Sequence, residues 1–202
     1  MPTGVHLRDA RQQLFDAAER VLLRDGPHAL TSRAVTEEAC CAKGVLHRHF
    51  ADFDAFLTAL VLDRSARLRA QARELREAVG TGTGTVTDHL TEALTTFFGP
   101  VPVAIIPLVT FREELRARLR RAAPGGGPAI LAQITEAVAA HLSEERDLGR
   151  VAADADIDSL ALSLVGGGHL LFADRDSGPP AREAVRQLVA TVLADVVRRR
   201  PD

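Results

Sequence analysis

Apolar residues recur along this chain at the spacing of one helical face. In the segment Val185–Val196 they stand at positions i, i+3, i+4, i+7, i+8 and i+11, which is the period of an amphipathic α-helix. The segment Val5–Asp25 has a similar spacing and is followed by Gly26 and Pro27, the residues that commonly end a helix. Because β-branched and aromatic residues never gather into alternating runs, the pattern predicts an all-α fold.

About nine helices with short connections account for the chain. Thr31 is the expected N-cap of a short second helix, and Asp52 is that of a long fourth helix reaching about Val79. The Gly-Thr repeat at 80–85 is expected to be a flexible break. The other predicted segments are Lys43–Phe50, Val86–Phe98, an interrupted pair across Pro102–Arg121, Pro128–Arg146, Asp156–Phe172 and Pro180–Arg200.

Composition narrows the class of protein. The chain has 202 residues, 46% of them hydrophobic and 26% charged, with a net charge of -2, which suits a globular protein with a real core. No apolar run approaches the roughly 20 residues of a membrane helix, and the N-terminus lacks the apolar region of a secretory signal. The two cysteines are adjacent, at Cys40 and Cys41, so no disulfide framework is expected. A reduced, cytoplasmic protein that makes no membrane contact is predicted.

The first 50 residues have the outline of a helix-turn-helix DNA reader, because three short helices are predicted there and a tight turn joins the last two. Ala42 and Gly44 are small enough to let the third helix approach a major groove. Long hydrogen-bond donors alternate along that helix with apolar residues that hold it in the core. The donors are Lys43, His47 and Arg48, and the apolar residues are Val45, Leu46 and Phe50. These first 50 residues carry seven Lys and Arg against six Asp and Glu, so charge gives only mild support.

The segment Ala39–Phe50, ACCAKGVLHRHF, resembles the turn and recognition helix of the tetracycline-repressor (TetR) family, in which A-G-V-S-K-G-x-L-Y-x-H-F recurs. The specific resemblance covers about Leu7–Leu62. It implies a helix-turn-helix DNA-binding domain at 1–52 and a larger helical ligand-binding and dimerisation domain at 53–202. The residues that it assigns to double-stranded operator DNA are Thr31, Ser32, Arg33, Ala42, Lys43, Gly44, His47, Arg48 and His49.

Several positions depart from the family pattern. Cys40 replaces the usual turn glycine, and Ala42 replaces a Ser or Thr that commonly touches phosphate. Phe53 stands where a phosphate-binding Lys often opens the fourth helix, so two or three backbone contacts of the family are missing. Arg48 could restore one of them, since guanidinium pairs bidentately with phosphate or guanine.

The resemblance also implies that the last two helices form a homodimer interface and that helices five to seven enclose a pocket for a small-molecule effector. Gly166–Gly168 would let helices approach closely, or would break their helix. Pro107 is expected to kink its helix and open space beside it. A flat or greasy ligand, neutral or weakly anionic, fits such a lining, and plain core packing is the alternative for each residue. The expected lining is Phe97, Phe98, Ile106, Thr110, Phe111, Arg112 and His141.

Catalytic and metal chemistry is not expected. No nucleophile motif such as G-x-S-x-G occurs, and the glycine-rich stretches lack the Lys-Ser/Thr of a phosphate loop. The seven histidines do not cluster at metal-ligand spacing, and no cofactor is predicted. Cys40 and Cys41 are expected to be small apolar residues rather than a redox sensor.

The sequence therefore predicts a homodimeric transcriptional regulator, most simply a repressor that a small molecule releases from a near-palindromic operator. The alternative is a helical small-molecule-binding or scaffold protein whose reader domain has lost DNA binding, given Ala42 and Phe53.

Overall fold

The computed structural model of the chain describes residues 3–42, 44–80, 84–122, 130–173 and 178–197. Those ranges contain ten α-helices and no strand, which confirms the all-α fold, and one isolated antiparallel bridge joins Val151 to Val197. The helices are α1 Thr3–Asp25, α2 Ser32–Glu38, α3 Gly44–His49, α4 Phe53–Gly80, α5 Val86–Phe97, α6 Pro100–Phe111, α7 Glu113–Ala122, α8 Ile130–Asp147, α9 Ile157–Ala173 and α10 Arg182–Val192.

The helix ends follow local chemistry at most positions. Gly26 ends α1 with a φ of 82°, and α6 begins at Pro100, because proline suits the first helical position. The expected end of the last helix at Arg200 is wrong, since α10 stops at Val192. The chain leaves the helix there because the Val196 carbonyl accepts a hydrogen bond from the Ala152 N–H at 2.8 Å. The run Arg198–Arg200 lies outside the described residues.

By packing, the chain divides into two compact units, which we call unit 1 and unit 2. Unit 1 comprises the described residues of 1–64 and 100–128, and unit 2 those of 65–99 and 129–202. Unit 1 thus contains α6 and α7 together with the three N-terminal helices. The functional boundary expected between residues 52 and 53 stays a prediction, and the packing boundary falls inside α4.

An aromatic cluster forms the centre of unit 1. The ring centroids of Phe15, Phe50 and Phe56 lie 5.1–6.0 Å from one another, and the Arg11 guanidinium lies 5.0 Å from the Phe50 centroid. Each ring is buried, and full burial of such a side chain stabilises a fold by about 1.5–3 kcal/mol. The cluster therefore joins α1 and α4 to the residue that follows α3.

Buried charge adds a second link within unit 1. Arg64 of α4 is only 8% exposed, and its guanidinium contacts Glu19 of α1 and its neighbour Asp63. Glu38, at the end of α2, accepts from Arg20 and Arg24 of α1, at 2.7 Å in each case. A buried cation without its partner costs several kcal/mol, so the Arg64 contacts fix how α1 and α4 pack.

Two glycines set the packing inside unit 2. A Cβ atom on Gly167 would lie 2.7 Å from Leu188 of α10, and one on Gly168 would lie 2.8 Å from the Phe98 ring. Both distances are below 3.0 Å, so a side chain at either position would force its neighbour to shift. The shift is easy for the terminal methyl groups of Leu188 and costly for the buried Phe98 ring. The run Gly166–Gly168 does not break its helix, because α9 continues from Ile157 to Ala173.

The helix α5 of unit 2 begins with a capping signal that starts at the last residue of the Gly-Thr repeat. Thr85 caps α5 by accepting from the Asp88 N–H at 3.1 Å, and the Asp88 carboxylate accepts in return from the Thr85 N–H. This reciprocal pair is a capping box. Residues 81–83 of the predicted flexible break lie outside the described residues.

No described helix is by itself both long enough and apolar enough to cross a membrane, although α5 and α6 meet both conditions when they are counted as one broken segment. Apolar residues of α5 such as Leu90 and Leu94 are buried in unit 2, and those of α6 such as Ile105 and Leu108 are buried in unit 1.

The turn after α2 depends on a left-handed residue. Cys40 has a φ of 51°, and the N–H groups of Cys40 and Cys41 donate to the carbonyls of Glu37 and Thr36, each at 3.0 Å. These two bonds form a Schellman motif, in which glycine is the usual left-handed residue. The glycine that the TetR pattern has at this position is therefore explained by backbone conformation.

We expect Cys40→Gly to raise the free energy of unfolding by about 0.5–1 kcal/mol. Removing the strain of a left-handed L-residue stabilises the folded state by roughly 1–2 kcal/mol. The larger conformational entropy of glycine in the unfolded chain offsets about half of that gain. Cys40→Val should lower stability, because a β-branched residue is strained at positive φ. Denaturant unfolding of the full chain measures both changes.

The matched control is Cys41→Gly, since Cys41 is not in the left-handed region and should lose stability with glycine. Equal effects of glycine at the two positions would contradict a conformational origin.

Candidate DNA-binding surface and ligand-binding region

The short helix α3 is held in unit 1 by its apolar side. Leu46 is fully buried, Phe50 directly after the helix is 6% exposed, and Val45 is half-buried. The Val45 N–H donates to the Ala42 carbonyl at 2.8 Å, which closes the first turn. The apolar positions predicted to anchor the helix are thus buried, and the opposite side of α3 is turned outward.

The outward side of α3 carries the predicted DNA-binding residues. Ala42, Gly44, His47 and Arg48 are exposed, and His49 is half-buried with its ring centroid 6.4 Å from that of Phe50. Across the described residues, none forms a hydrogen bond or ion pair with the Arg48 guanidinium. Its donors are therefore available to a phosphate or a guanine. Lys43 lies outside the described residues.

The start of α2 offers a second polar group, although part of its hydrogen-bonding capacity is used internally. The Thr31 hydroxyl accepts from the Ala34 N–H at 3.1 Å, which confirms it as the N-cap and leaves its proton to donate. Arg33 is exposed but pairs with Glu37 at 2.7 Å. The Ser32 hydroxyl oxygen is buried, with no hydrogen-bond partner among the described residues. Thr31 and Arg33 thus both retain donors, since the ion pair of Arg33 is made through Nε.

The position of the missing phosphate-binding lysine is occupied by packing. Phe53, the first residue of α4, stacks on Phe56 with centroids 5.6 Å apart, and the Arg112 guanidinium lies 5.9 Å from its ring. Asp52 caps α4 through the Ala55 N–H at 2.7 Å, as predicted. Arg118 of α7 binds both Asp52 oxygens, at 2.8 and 3.0 Å, and holds the pKa of that carboxyl below its usual range.

The predicted effector-binding residues are divided between the two units. Ile106, Thr110, Phe111 and Arg112 belong to unit 1. There the Thr110 hydroxyl donates to the Ile106 carbonyl at 2.8 Å, Phe111 is 80% exposed, and Arg112 lies 3.8 Å from the Asp54 carboxylate. The helix α6 runs through Pro107 without ending.

In unit 2, the other three predicted residues have different environments. Phe98 is core, stacked on Phe172 with centroids 5.7 Å apart. His141 is fully buried, and burial lowers its pKa to about 4 against the opposing effect of the Glu145 carboxylate. Phe97 lines a pocket of about 230 Å³ between α4 and α5.

Most of the residues that line this pocket are not among those predicted from the sequence. Their spacing is a usable signal, since the α5 members stand at i, i+3, i+4, i+7 and i+8 and therefore share one helical face. This stripe mixes polar and apolar residues, so a search for a purely apolar lining overlooks it. The lining is Gln71, Glu74 and Leu75 of α4 with His89, Glu92, Ala93, Thr96 and Phe97 of α5.

Unit 2 also contains a buried polar cluster that histidine spacing did not predict. His89 of α5 and His141 and Glu145 of α8 bring one potential metal-ligand atom each to within 4.8 Å of the other two. His141 and Glu145 are fully buried. Among the described residues, these three form a group whose donor atoms and distances suit a metal ion.

Comparison with known proteins gives a family for the N-terminal helices and a fold for the chain. Residues 14–60 match the model of the bacterial regulatory proteins of the tetR family. No curated protein matches the chain in sequence. The three solved structures described next are each less than 25% identical to it, so they establish the fold alone.

A TetR-family transcriptional regulator from Agrobacterium tumefaciens has a TM-score of 0.72 and 12% identity, covering 95% of this chain and 99% of its own. FadR from Bacillus subtilis, in complex with stearoyl-CoA, has a TM-score of 0.65 and 16% identity, covering 91% and 97%. The ketosteroid transcriptional regulator KstR2 of Mycobacterium tuberculosis has a TM-score of 0.63 and 18% identity, covering 94% of this chain and 95% of its own.

The family match lies on the helices that anchor and present α3, and the neighbours share the arrangement of the chain over more than nine-tenths of its length. Both agree with the exposed donors and the glycine-type turn described above. The N-terminal helices therefore belong to the TetR family of bacterial regulatory proteins, and the chain as a whole has the fold of TetR-family transcriptional regulators.

Proposed function

We propose that this regulator is a homodimeric repressor that binds a near-palindromic operator and releases it when a small molecule occupies unit 2. The observation that carries the proposal is the outward side of α3, where Arg48 has no partner among the described residues and stands beside exposed small residues. A helix anchored on one side with free donors on the other is suited to a major groove.

Base reading in this protein depends on few side chains. Arg48 is the donor best placed to pair bidentately with guanine or phosphate, and His47 adds a second donor. Exposed Ala42 and Gly44 let the backbone at the start of α3 come close to DNA. Because Phe53 takes the position of a common phosphate-binding lysine, loss of any one remaining cationic contact should weaken binding measurably.

A second copy of the chain would cover an apolar stripe on α9. Leu162 and Leu170 are 66% and 75% exposed, and Gly166 between them faces open space. The three stand at i, i+4 and i+8 on one helical face. Exposed large apolar side chains in one row mark an association surface, and a twofold axis would bury the same row of both copies.

Part of the apolar face of α10 is used inside unit 2, and the contribution of its half-buried members, Leu188 and Val192, to a dimer interface stays a prediction. Val185, Val189 and Leu193 are fully or almost fully buried inside unit 2. The outward side of α10 is made of small and polar residues such as Ala184, Gln187 and Thr191. A substitution at Val189 would therefore disturb the protomer itself, and α9 provides the better test of assembly.

The pocket between α4 and α5 is the site that we assign to the effector. Its volume of about 230 Å³ is below the roughly 300–1,000 Å³ of typical ligand sites, so a ligand of typical size would move its walls apart. A ligand that favours the opened form shifts the population away from the form that binds DNA. The stearoyl-CoA bound by the Bacillus subtilis neighbour supports an apolar ligand, and Glu74 and Glu92 in the lining favour a neutral head group.

For DNA binding, we expect Lys43→Ala to weaken operator affinity by about 1–2 kcal/mol and to reduce the salt slope by about one. Arg48→Ala should instead relax base preference if Arg48 reads a guanine. Gel-shift titration with the DNA upstream of the chain's own gene measures both.

Arg121→Ala is the matched arginine control, because Arg121 is exposed at the end of α7 and pairs with Glu114 at 3.4 Å. Wild-type binding by the double variant Lys43→Ala/Arg48→Ala would exclude α3 as the recognition helix. Absence of binding by the wild type would favour the scaffold alternative.

For assembly, Leu162→Glu combined with Leu170→Glu should convert a dimer into a chain that sediments at 21.7 kDa. DNA binding should be lost as well, because a single half-site binds weakly. The protomer should stay folded, since both leucines are mostly exposed.

Leu148→Glu is the control, because Leu148 is a leucine 57% exposed after α8 and should leave the dimer intact. A double variant that remains dimeric would place the interface elsewhere.

For the pocket, Thr96→Phe should fill the space between α4 and α5 while leaving operator binding unchanged. An inducer found by screening neutral and weakly anionic apolar compounds against the wild type should then fail to release DNA from the variant. Ile106→Phe with Thr110→Leu, in unit 1, is the matched control and should respond as the wild type does. The reverse pattern would move the effector site to α6.

A further inference from the structure

The buried cluster of His89, His141 and Glu145 has the distances of a metal site. The Glu145 Oε1 atom lies 3.5 Å from His89 Nδ1 and 3.5 Å from His141 Nε2. Two ligands at 2.0–2.1 Å from a tetrahedral Zn²⁺ ion lie about 3.4 Å apart. Two of the three separations therefore already match such a centre, and the third is within 4.8 Å.

The imidazole of His141 needs a partner that the described residues do not supply. Neither of its ring nitrogens has a hydrogen-bond partner within the described ranges, although the side chain is fully buried. A buried polar group left in this state destabilises the fold, because nothing compensates the loss of its hydrogen bonds to water. A cation bound at Nε2 would remove that cost for one of the two nitrogens.

The carboxylate of Glu145 is held so that one oxygen is turned to the histidines. The Arg150 Nε–H donates to Oε2 of Glu145, and Oε1 is the atom close to both imidazoles. An outer hydrogen bond of this kind fixes the orientation of a monodentate metal ligand. The arrangement is therefore more specific than a chance grouping of two histidines and an acid.

The donor set indicates the class of ion. Two imidazole nitrogens and one carboxylate oxygen suit Zn²⁺ and its neighbours Co²⁺, Ni²⁺ and Cu²⁺, whereas Mg²⁺ and Ca²⁺ prefer oxygen ligands. His89 also lines the pocket between α4 and α5, which gives an ion a path to the cluster.

We propose that His89, His141 and Glu145 bind one divalent transition-metal ion of the zinc class per chain, with three protein ligands and a fourth position left open. Such a site would join α5 to α8 and would make unit 2 responsive to metal. Binding is measured without DNA, so its outcome is independent of the proposed repressor function.

The test uses the full-length chain without an affinity tag, stripped with EDTA and dialysed. Zn²⁺ is titrated in competition with a chromophoric chelator, and Co²⁺ is titrated while visible absorption is recorded. We expect one ion per chain, d–d absorption bands from bound Co²⁺, and a rise in Tm of at least about 5 °C with excess Zn²⁺.

The variant His89→Gln keeps a polar side chain at a position that is not fully buried, and circular dichroism checks its fold. Its Zn²⁺ affinity should fall about 100-fold or more, and its Co²⁺ bands should disappear. His169→Ala, which removes a half-buried histidine of α9, is the matched control and should bind as the wild type does.

Two results would overturn the proposal. One is binding of less than a tenth of an equivalent of Zn²⁺ by the wild type, which would make the cluster an ion-pair network only. The other is equal affinity in His89→Gln and His169→Ala, which would assign the bound ion to other histidines. Glu145→Gln provides a second variant with nearly unchanged side-chain volume, in case His89→Gln does not fold.

Discussion

The burial of Leu46 and Phe50 is the constraint on which the proposed DNA-binding surface depends. A helix of six residues is not stable alone, because nucleation costs more than so few hydrogen bonds return. α3 persists because Leu46 is fully buried and Phe50 packs against Phe15 and Phe56. The same contacts fix which side of the helix faces outward, so the exposure of His47 and Arg48 is a consequence of core packing.

The connection between α2 and α3 adds a second constraint, which acts on the backbone. The Schellman motif at Cys40 requires a left-handed residue, and a non-glycine residue there carries strain. Thr31 caps the start of α2, and Glu38 ties its end to Arg20 and Arg24 of α1. These contacts therefore fix the position of α2 and of the turn that follows it, independently of the packing of α3.

The helices α5, α9 and α10 of unit 2 differ in what their side chains contact. The buried valines of α10 and the close approaches at Gly167 and Gly168 stabilise the protomer. The exposed leucines of α9 form the surface that we propose for a second chain, and the face of α5 that includes Thr96 and Phe97 lines a pocket. His89 stands where that pocket meets the buried cluster with His141 and Glu145, so the two features share one residue.

Local chemistry in the sequence by itself determined the helices, most of their ends and the anchor of α3. Helical period, the caps Thr31 and Asp52, and Gly26 act over a few residues and are visible without a fold. Only the tertiary structure decided that α6 and α7 pack in unit 1, that the valines of α10 are used inside the protomer, and that His89 meets His141 and Glu145. These outcomes depend on which faces of distant helices come together, and the spacing of residues within one helix carries no information about its partner.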